Sequence, residues 1–262
     1  MNRIQELFRR KKENILSIFF TAGFPKLDST IGIARQLEKS GVDLIEIGIP
    51  FSDPIADGPT IQESNKQALE NGMTLSLLLQ QVKEIRKEVS IPIILMGYLN
   101  PVLQYGLQKF CSDATASGAD GLILPDLPLN EYKSEYESVI RSANLSYSFL
   151  ISPTTSEERI RQIDAVSTGF IYAVSSSSTT GAKNEFTPEQ ERYFERLQQL
   201  KLKNPFLIGF GVSSQPTFSK ACKYGAGAIV GSAFINHLKS SQSYRTIQAF
   251  IETIYPAIKS VG

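Results

Sequence analysis

Eight short runs rich in Ile, Leu, Val and Phe recur along this 262-residue chain, separated by stretches with helical spacing. This alternation constrains the fold more than any other feature. Parallel strands need crossover helices to join them and, being buried on both faces, read as near-continuous apolar runs. The runs are Ile15–Thr21, Leu44–Ile49, Ile91–Gly97, Gly121–Pro125, Tyr147–Ile151, Phe170–Val174, Phe206–Phe210 and Ala228–Gly231. Between them, the spacing of Ile31, Ala34 and Leu37 and the segments 75–89, 102–116 and 131–143 carry helical periodicity. Capping residues open several of these: Asp28 and Ser29, Thr74, and Ser156 ahead of Glu157 and Glu158. Gly41, Gly118 and Gly225 close others just before the next strand. Eight successive units without a low-complexity linker predict one α/β domain over residues 1–262. The expected fold is a (β/α)8 TIM barrel with an extra N-terminal helix, favoured over an open doubly wound sheet, and barrels of this kind need roughly 250 residues.

Charge and composition narrow the function classes. Lys and Arg total 27 against 26 acidic residues, scattered along the chain, so no field attracts nucleic acid or an anionic membrane. The run Arg9-Arg10-Lys11-Lys12 follows the apolar stripe Ile4, Leu7 and Phe8 and reads as the solvated end of an amphipathic helix. The apolar stretch from Ile15 to Ala22 is too short to span a bilayer and is closed by Gly23 and Pro25. A soluble, cytoplasmic protein is expected. Cys111 and Cys222 lack a CxxC spacing and read as buried thiols of a reducing compartment. His237 is the only histidine and lacks evident partners for a metal centre or a Ser-His triad, so no metal is expected.

Working residues of such barrels come from the C-terminal ends of strands and the loops that follow. In Leu44-Ile45-Glu46-Ile47-Gly48, the two-residue period puts Leu44, Glu46 and Gly48 on one face and the isoleucines on the other. With the isoleucines toward the helices, Glu46 points into the barrel, where desolvation raises a carboxyl pKa toward the range useful for acid–base catalysis. No basic residue on the other strands offers it an ion pair. The following loop, Pro50 to Thr60, holds Asp53 and Asp57 over the barrel mouth. Either aspartate can face a ligand, although Asp53 before Pro54 suits an Asx-turn better. Gly209-Phe210-Gly211 and Gly231-Ser232 end the last two strands, and Gly181 lies in the sixth loop. That placement suits a phosphate held by backbone N–H groups. The connections from Pro50 to Thr60 and from Ser175 to Pro188 are lid candidates. The serine run 175–178 has no accompanying base and reads as solvated loop.

The segment from Glu46 to Gln62, EIGIPFSDPIADGPTIQ, together with Tyr98-Leu99-Asn100-Pro101, Pro125-Asp126-Leu127-Pro128, Gly209-Phe210-Gly211-Val212-Ser213 and Gly231-Ser232-Ala233, closely resembles the tryptophan synthase α subunit family over essentially the whole length. The resemblance implies retro-aldol cleavage of indole-3-glycerol phosphate to indole and glyceraldehyde 3-phosphate. It implies Glu46 as the acid–base residue and Asp57, rather than Asp53, as the group that holds the indole N–H. Phe19, Tyr98, Ile151, Tyr172, Thr180 and Phe210 are implied as substrate-binding residues, and Gly181, Gly211, Gly231 and Ser232 as the phosphate cradle. No cofactor is implied on this subunit. The implied assembly is an α2β2 complex with a β subunit carrying pyridoxal phosphate, contacted through the loops 50–59 and 100–103. Ser176 stands where well-known bacterial members carry arginine, and Pro125 where they carry a small residue. Two other readings compete. An isomerase or epimerase of sugar phosphates would have the same glycine turns, and only the second-strand motif discriminates. An α subunit that merely activates its β partner is the non-enzymatic option, against which the intact Glu46, Asp57 and Tyr172 argue.

Overall fold

The structure is a computed structural model and describes residues 2–175, 185–241 and 244–255. Its strands are β1 (Ile15–Thr21), β2 (Leu44–Gly48), β3 (Ile93–Met96), β4 (Gly121–Ile123), β5 (Ser146–Tyr147), β6 (Leu150–Ile151), β7 (Ile171–Val174), β8 (Phe206–Gly209) and β9 (Gly227–Val230). Every pairing is parallel, and the spatial order runs β5, β4, β3, β2, β1, β9, β8, β7, β6. The two ends of that order are neighbours in the chain, since only Ser148 and Phe149 separate β5 from β6. The Ser148 amide donates to the Leu122 carbonyl at 3.2 Å, and the Tyr172 amide donates to the Phe149 carbonyl at 2.9 Å. The link is thus bonded on both sides. β5 and β6 form one broken stave, and the sheet closes into the expected (β/α)8 barrel.

The break is the main departure from the strand reading. Residues 147–151 were expected as one strand, but the chain pairs with β4 through Ser146 and Tyr147 and with β7 through Leu150 and Ile151. Smaller departures follow from glycine and caps. The helix expected over 102–116 is divided at Gly106, whose φ of 90° cannot continue an α-helix, into Leu99–Tyr105 and Leu107–Ser117. Thr74 and Ser156 cap as expected, accepting from Leu77 N and Arg159 N at 3.2 Å each. Asp28 makes no side-chain cap bond.

Alternation along the strands sorts the apolar side chains into two layers. Leu16, Ile18, Phe20, Ile45, Ile47, Ile93 and Leu95 face outward, into the large core beneath the helices. Ile15, Leu44, Ile94, Ile123, Phe170, Leu207 and Ile229 face inward, and there they meet Ile4, Leu7 and Phe8. These last three belong to the extra helix, Arg3–Arg10, which plugs the N-terminal end of the barrel with its apolar stripe. Polar bonds hold the plug in place. Asn2 Nδ2 donates to the Asp120 carbonyl at 2.9 Å and to Ser146 Oγ at 2.7 Å. The Asp120 carboxylate receives Arg3 Nη1 at 2.9 Å, Arg86 Nη2 at 2.8 Å and Ile93 N at 2.9 Å.

The remaining residues singled out by sequence have structural surroundings. His237 is half-buried, bonded to Thr246 Oγ1 at 3.0 Å and stacked on Phe250. Cys111 is buried, which pushes its thiol up to about 11, whereas Cys222 is only half-buried, contrary to expectation; both are free. Among the described residues no helix is long and apolar enough to cross a membrane.

Two substitutions separate the strands of the Asp120 network. Asp120→Ala leaves the mostly buried Arg86 guanidinium without its counterion and is expected to lower the unfolding free energy by about 3 kcal/mol or more. Arg3→Ala removes a half-exposed partner and is expected to cost under ~1 kcal/mol. Urea titration of the two variants measures the difference.

Candidate active site

Glu46 lies at the centre of β2 with its side chain on the interior face and is fully buried. Its register partners are Phe19 on β1 and Ile94 on β3, so both flanks are apolar. Ser17 Oγ donates to Glu46 Oε1 at 2.6 Å, while Oε2 has no hydrogen-bond partner among the described residues. Burial without a cation pushes the carboxyl up to about 7, and the Ser17 hydrogen bond opposes part of that rise. Gly48, on the same face, leaves the space that the Phe19 ring enters: a Cβ there would sit 2.7 Å from Phe19 Cζ.

The loop after β2 treats its two aspartates differently. Asp53 stays exposed, its carboxylate taken by the adjacent Ser52 hydroxyl. Asp57 is drawn inward: the Tyr98 hydroxyl donates to its Oδ2 at 2.9 Å and accepts from Ala56 N at 3.0 Å. Tyr98 therefore pins both the loop backbone and the carboxylate, and its ring packs 5.3 Å from that of Phe51. Partial burial pushes Asp57 up to about 6, against the lowering effect of the tyrosine hydrogen bond. Asp126, at the end of the fourth stave, accepts from Leu99 N at 2.9 Å and so fixes the helix that follows Tyr98.

Tyr172 on β7 lies on the inward face, near enough to both carboxyls for their charges to act on it. It is buried, and burial together with the charges of Glu46 and Asp57 raises its hydroxyl well above the ordinary phenol range. Its ring lies over Gly209, where a Cβ would come within 2.4 Å of the tyrosine oxygen, and meets Phe210 edge-on at 6.3 Å. Phe210 (φ 66°) and Gly211 (φ 79°) both turn through the left-handed region, and Ser175 Oγ donates to the Phe210 carbonyl. The neighbouring strand β9 leads into the helix Ser232–Ser240, whose N-cap Gly231 offers no side chain to satisfy the first amides. Those amides and the Gly211 turn lie at adjacent strand ends, an arrangement that suits an anion.

Most of the expected site residues therefore converge on the C-terminal mouth: Glu46, Asp57, Phe19, Tyr98, Tyr172 and Phe210, with Gly211, Gly231 and Ser232 on the adjoining strand ends. Ile151 does not join them. It pairs with Ala173 on the outward face and packs in the layer beneath the helices, because the alternation runs unbroken from Ser146 to Ile151 and turns Tyr147, Phe149 and Ile151 outward. Leu150, paired with Tyr172 and packed against the interior cluster, takes the inward position instead. Thr180, Gly181 and Ser176 lie outside the described residues. Sequence reading also passed over Ser17, although the two-residue period of β1 places it on the inward face with Phe19. A cavity of 280 Å³ opens beside Leu150 and Pro125, between the fourth stave and the helix Glu157–Val166. Among the described residues no three His, Cys, Asp or Glu side chains come together as a metal site.

Burying Glu46 costs stability in one direction of pH. Its ordinary value of 4.5 becomes about 7 in the fold, so the folded state holds a proton that the unfolded chain has released between those limits. The favourable contribution is complete below pH 4.5 and is lost as pH rises through 7, a change of about 3 kcal/mol. Glu46→Gln is therefore expected to be more stable than the parent at pH 8 by about that amount. The gain should vanish toward pH 4.5, as read from denaturant midpoints across the range.

Comparison with known proteins agrees with this geometry. Residues 5–257 match the family model described as tryptophan synthase alpha chain. The chain is 55% identical over 254 residues to the tryptophan synthase alpha chain of Flavobacterium johnsoniae, covering 97% of this chain and 100% of that one. It is 52% identical over 240 residues to that of Parabacteroides distasonis, covering 92% and 93% respectively. Among solved structures, tryptophan synthase subunit alpha from Legionella pneumophila superposes with a TM-score of 0.88 at 34% identity, covering 100% of both chains. A chain of the tryptophan synthase complex from Pyrococcus furiosus superposes with a TM-score of 0.86 at 35% identity, covering 94% of this chain and 99% of that one. With its barrel and this breadth of likeness, the chain belongs to the tryptophan synthase alpha chain family.

Proposed function

We propose that Glu46 and Asp57 divide between them the reaction of this lyase, the retro-aldol cleavage of indole-3-glycerol phosphate to indole and glyceraldehyde 3-phosphate. Breaking the bond between indole C3 and the glycerol chain needs a proton delivered to C3, which leaves positive charge on the ring nitrogen. It then needs the proton of the adjacent glycerol hydroxyl removed, so that the carbonyl of the aldehyde forms as the carbon–carbon bond electrons return to the ring. Glu46 supplies the first proton and accepts the second. The observation that carries this reading is its full burial with one oxygen unpartnered, which brings the carboxyl to about 7, where it gives and takes a proton at comparable cost. Asp57 accepts the indole N–H and offsets the charge that develops there, held for that role by Tyr98.

Phe19, Tyr98, Tyr172, Phe210 and Leu150, the last in place of Ile151, form the walls around the indole. The amides of Gly211 and of the helix beginning at Ser232, joined by Gly181, hold the phosphate and fix the glycerol chain between the carboxyls, while Thr180 belongs with the substrate-binding residues. The α chain carries no cofactor of its own; pyridoxal phosphate belongs to the β subunit, with which this chain forms an α2β2 complex. Two of the large apolar side chains that remain exposed support that docking face: Ile55 at 87%, in the loop 50–59, and Leu103 at 50%, on the helix Leu99–Tyr105 that takes in the segment 100–103 expected as a loop. In this reading the chain works as one barrel domain in the cytoplasm, which free cysteines and a tryptophan-biosynthetic role support.

Release of indole from indole-3-glycerol phosphate, followed with the purified β subunit present, tests the assignment. Glu46→Gln is expected to lose at least about 10²-fold in kcat while still activating the β subunit. Asp57→Asn is expected to fall by about 10²-fold, because a neutral amide compensates the ring charge poorly. Asp53→Asn, altering only the exposed neighbour, should keep cleavage within about threefold of the parent, a change below one kcal/mol. Unchanged turnover in Glu46→Gln would remove that residue from the chemistry.

A further inference from the structure

We propose that Ser17 is a positioning residue for the proton-transfer carboxyl, tethering Glu46 Oε1 from the barrel floor so that Oε2 is the oxygen presented to substrate. The proposal rests on the reading of Glu46 as the acid–base group. Ser17 is fully buried on the inward face of β1. Its register partners are Leu44 on β2 and Ile229 on β9, both members of the apolar interior. A hydroxyl in such a layer is unfavourable unless bonded, and an alanine or valine would pack there without that cost. Its bond to Glu46 Oε1 at 2.6 Å answers this.

The register gives the bond a direction. Ser17 pairs with Leu44, two residues before Glu46, so the hydroxyl reaches the carboxyl from the side of the N-terminal plug. Oε1 is occupied from below, and Oε2 has no partner among the described residues. A carboxyl free at both oxygens can rotate between rotamers and present either one, whereas one tethered at a single oxygen cannot do so without breaking the bond. Because the hydroxyl donates to the charged form, it also limits how far burial raises the proton affinity of the group.

Among the described residues, Ser17 is the only polar side chain bonded to Glu46. Phe19 on β1 and Ile94 on β3 are apolar. Tyr172 on β7 is a phenol whose hydroxyl is raised well above its ordinary range, and Asp57, in the loop above, is a carboxyl that burial also raises, to about 6.

The test compares Ser17→Ala, Ser17→Thr and the parent by two measurements. One is titration of the Glu46 carboxyl, followed by carbon-13 NMR in the ligand-free chain and assigned by its absence in Glu46→Gln. The other is kcat and KM for indole release with the β subunit bound. In Ser17→Ala the titration midpoint is expected to rise by roughly half to one pH unit, with kcat down about tenfold and KM within about twofold. Ser17→Thr, which keeps the hydroxyl, should restore both. An unmoved midpoint in Ser17→Ala, or equal loss in Ser17→Thr, would overturn the proposal and leave only a packing role. That failure is distinct from failure of the Glu46 assignment, which would appear as retained cleavage in Glu46→Gln whatever the serine variants do.

Discussion

Closure of the sheet is the constraint from which the rest follows. Once β5 and β6 join the two ends of the strand order, every second residue of every strand is committed to a space that water cannot enter freely. At the N-terminal end that space is filled by Ile4, Leu7 and Phe8 from the plugging helix and by a ring of aliphatic side chains from the strands. Toward the other end the same inward positions carry Glu46, Tyr172 and Phe19. The barrel is a packed core at one end and a reaction vessel at the other, and the boundary falls within β1 and β2, between Ile15 and Ser17 and between Leu44 and Glu46.

The electrostatics of the mouth come from withholding cations. Asp120, on the floor side, receives two arginines and a backbone amide, so it is compensated and structural. Glu46 receives one neutral hydroxyl and Asp57 one phenol, and both carboxyls rise toward neutrality. The same residue chemistry thus serves stability in one place and proton transfer in another, decided by what stands within hydrogen-bond reach. A lysine beside Glu46 would stabilise the fold and hold the carboxylate ionised, making it a poor proton donor.

Much of this was legible in the chain before folding, and the limits have physical causes. The phase of β2 was readable because Ile45 and Ile47 strictly alternate with Glu46, and alternation survives burial. The phase of the fifth stave was not, because Leu150 and Ile151 are equally apolar and nothing in composition or spacing marks which of them turns inward. The resemblance implied Ile151 for the pocket, and it is Leu150 that turns inward. Asp53 and Asp57 could not be told apart by local pattern, since their difference is a hydrogen bond from Tyr98, 41 residues away from Asp57 in the chain. Resemblance to a family chose between them. Ser17 was open to reading from its phase, but a serine gives no hint of its partner until β1 and β2 are set in register.

The contact between Tyr172 and Gly209 binds two positions on adjacent strands into one choice. The tyrosine ring and hydroxyl occupy the volume that any side chain at 209 would need. Variation at the two positions is therefore linked. A larger residue at 209 is tolerable only alongside a smaller one at 172, and that exchange removes the phenol from the mouth. Gly209 cannot enlarge while the tyrosine stays, so a residue with no side chain of its own is what keeps the phenol in place at the mouth.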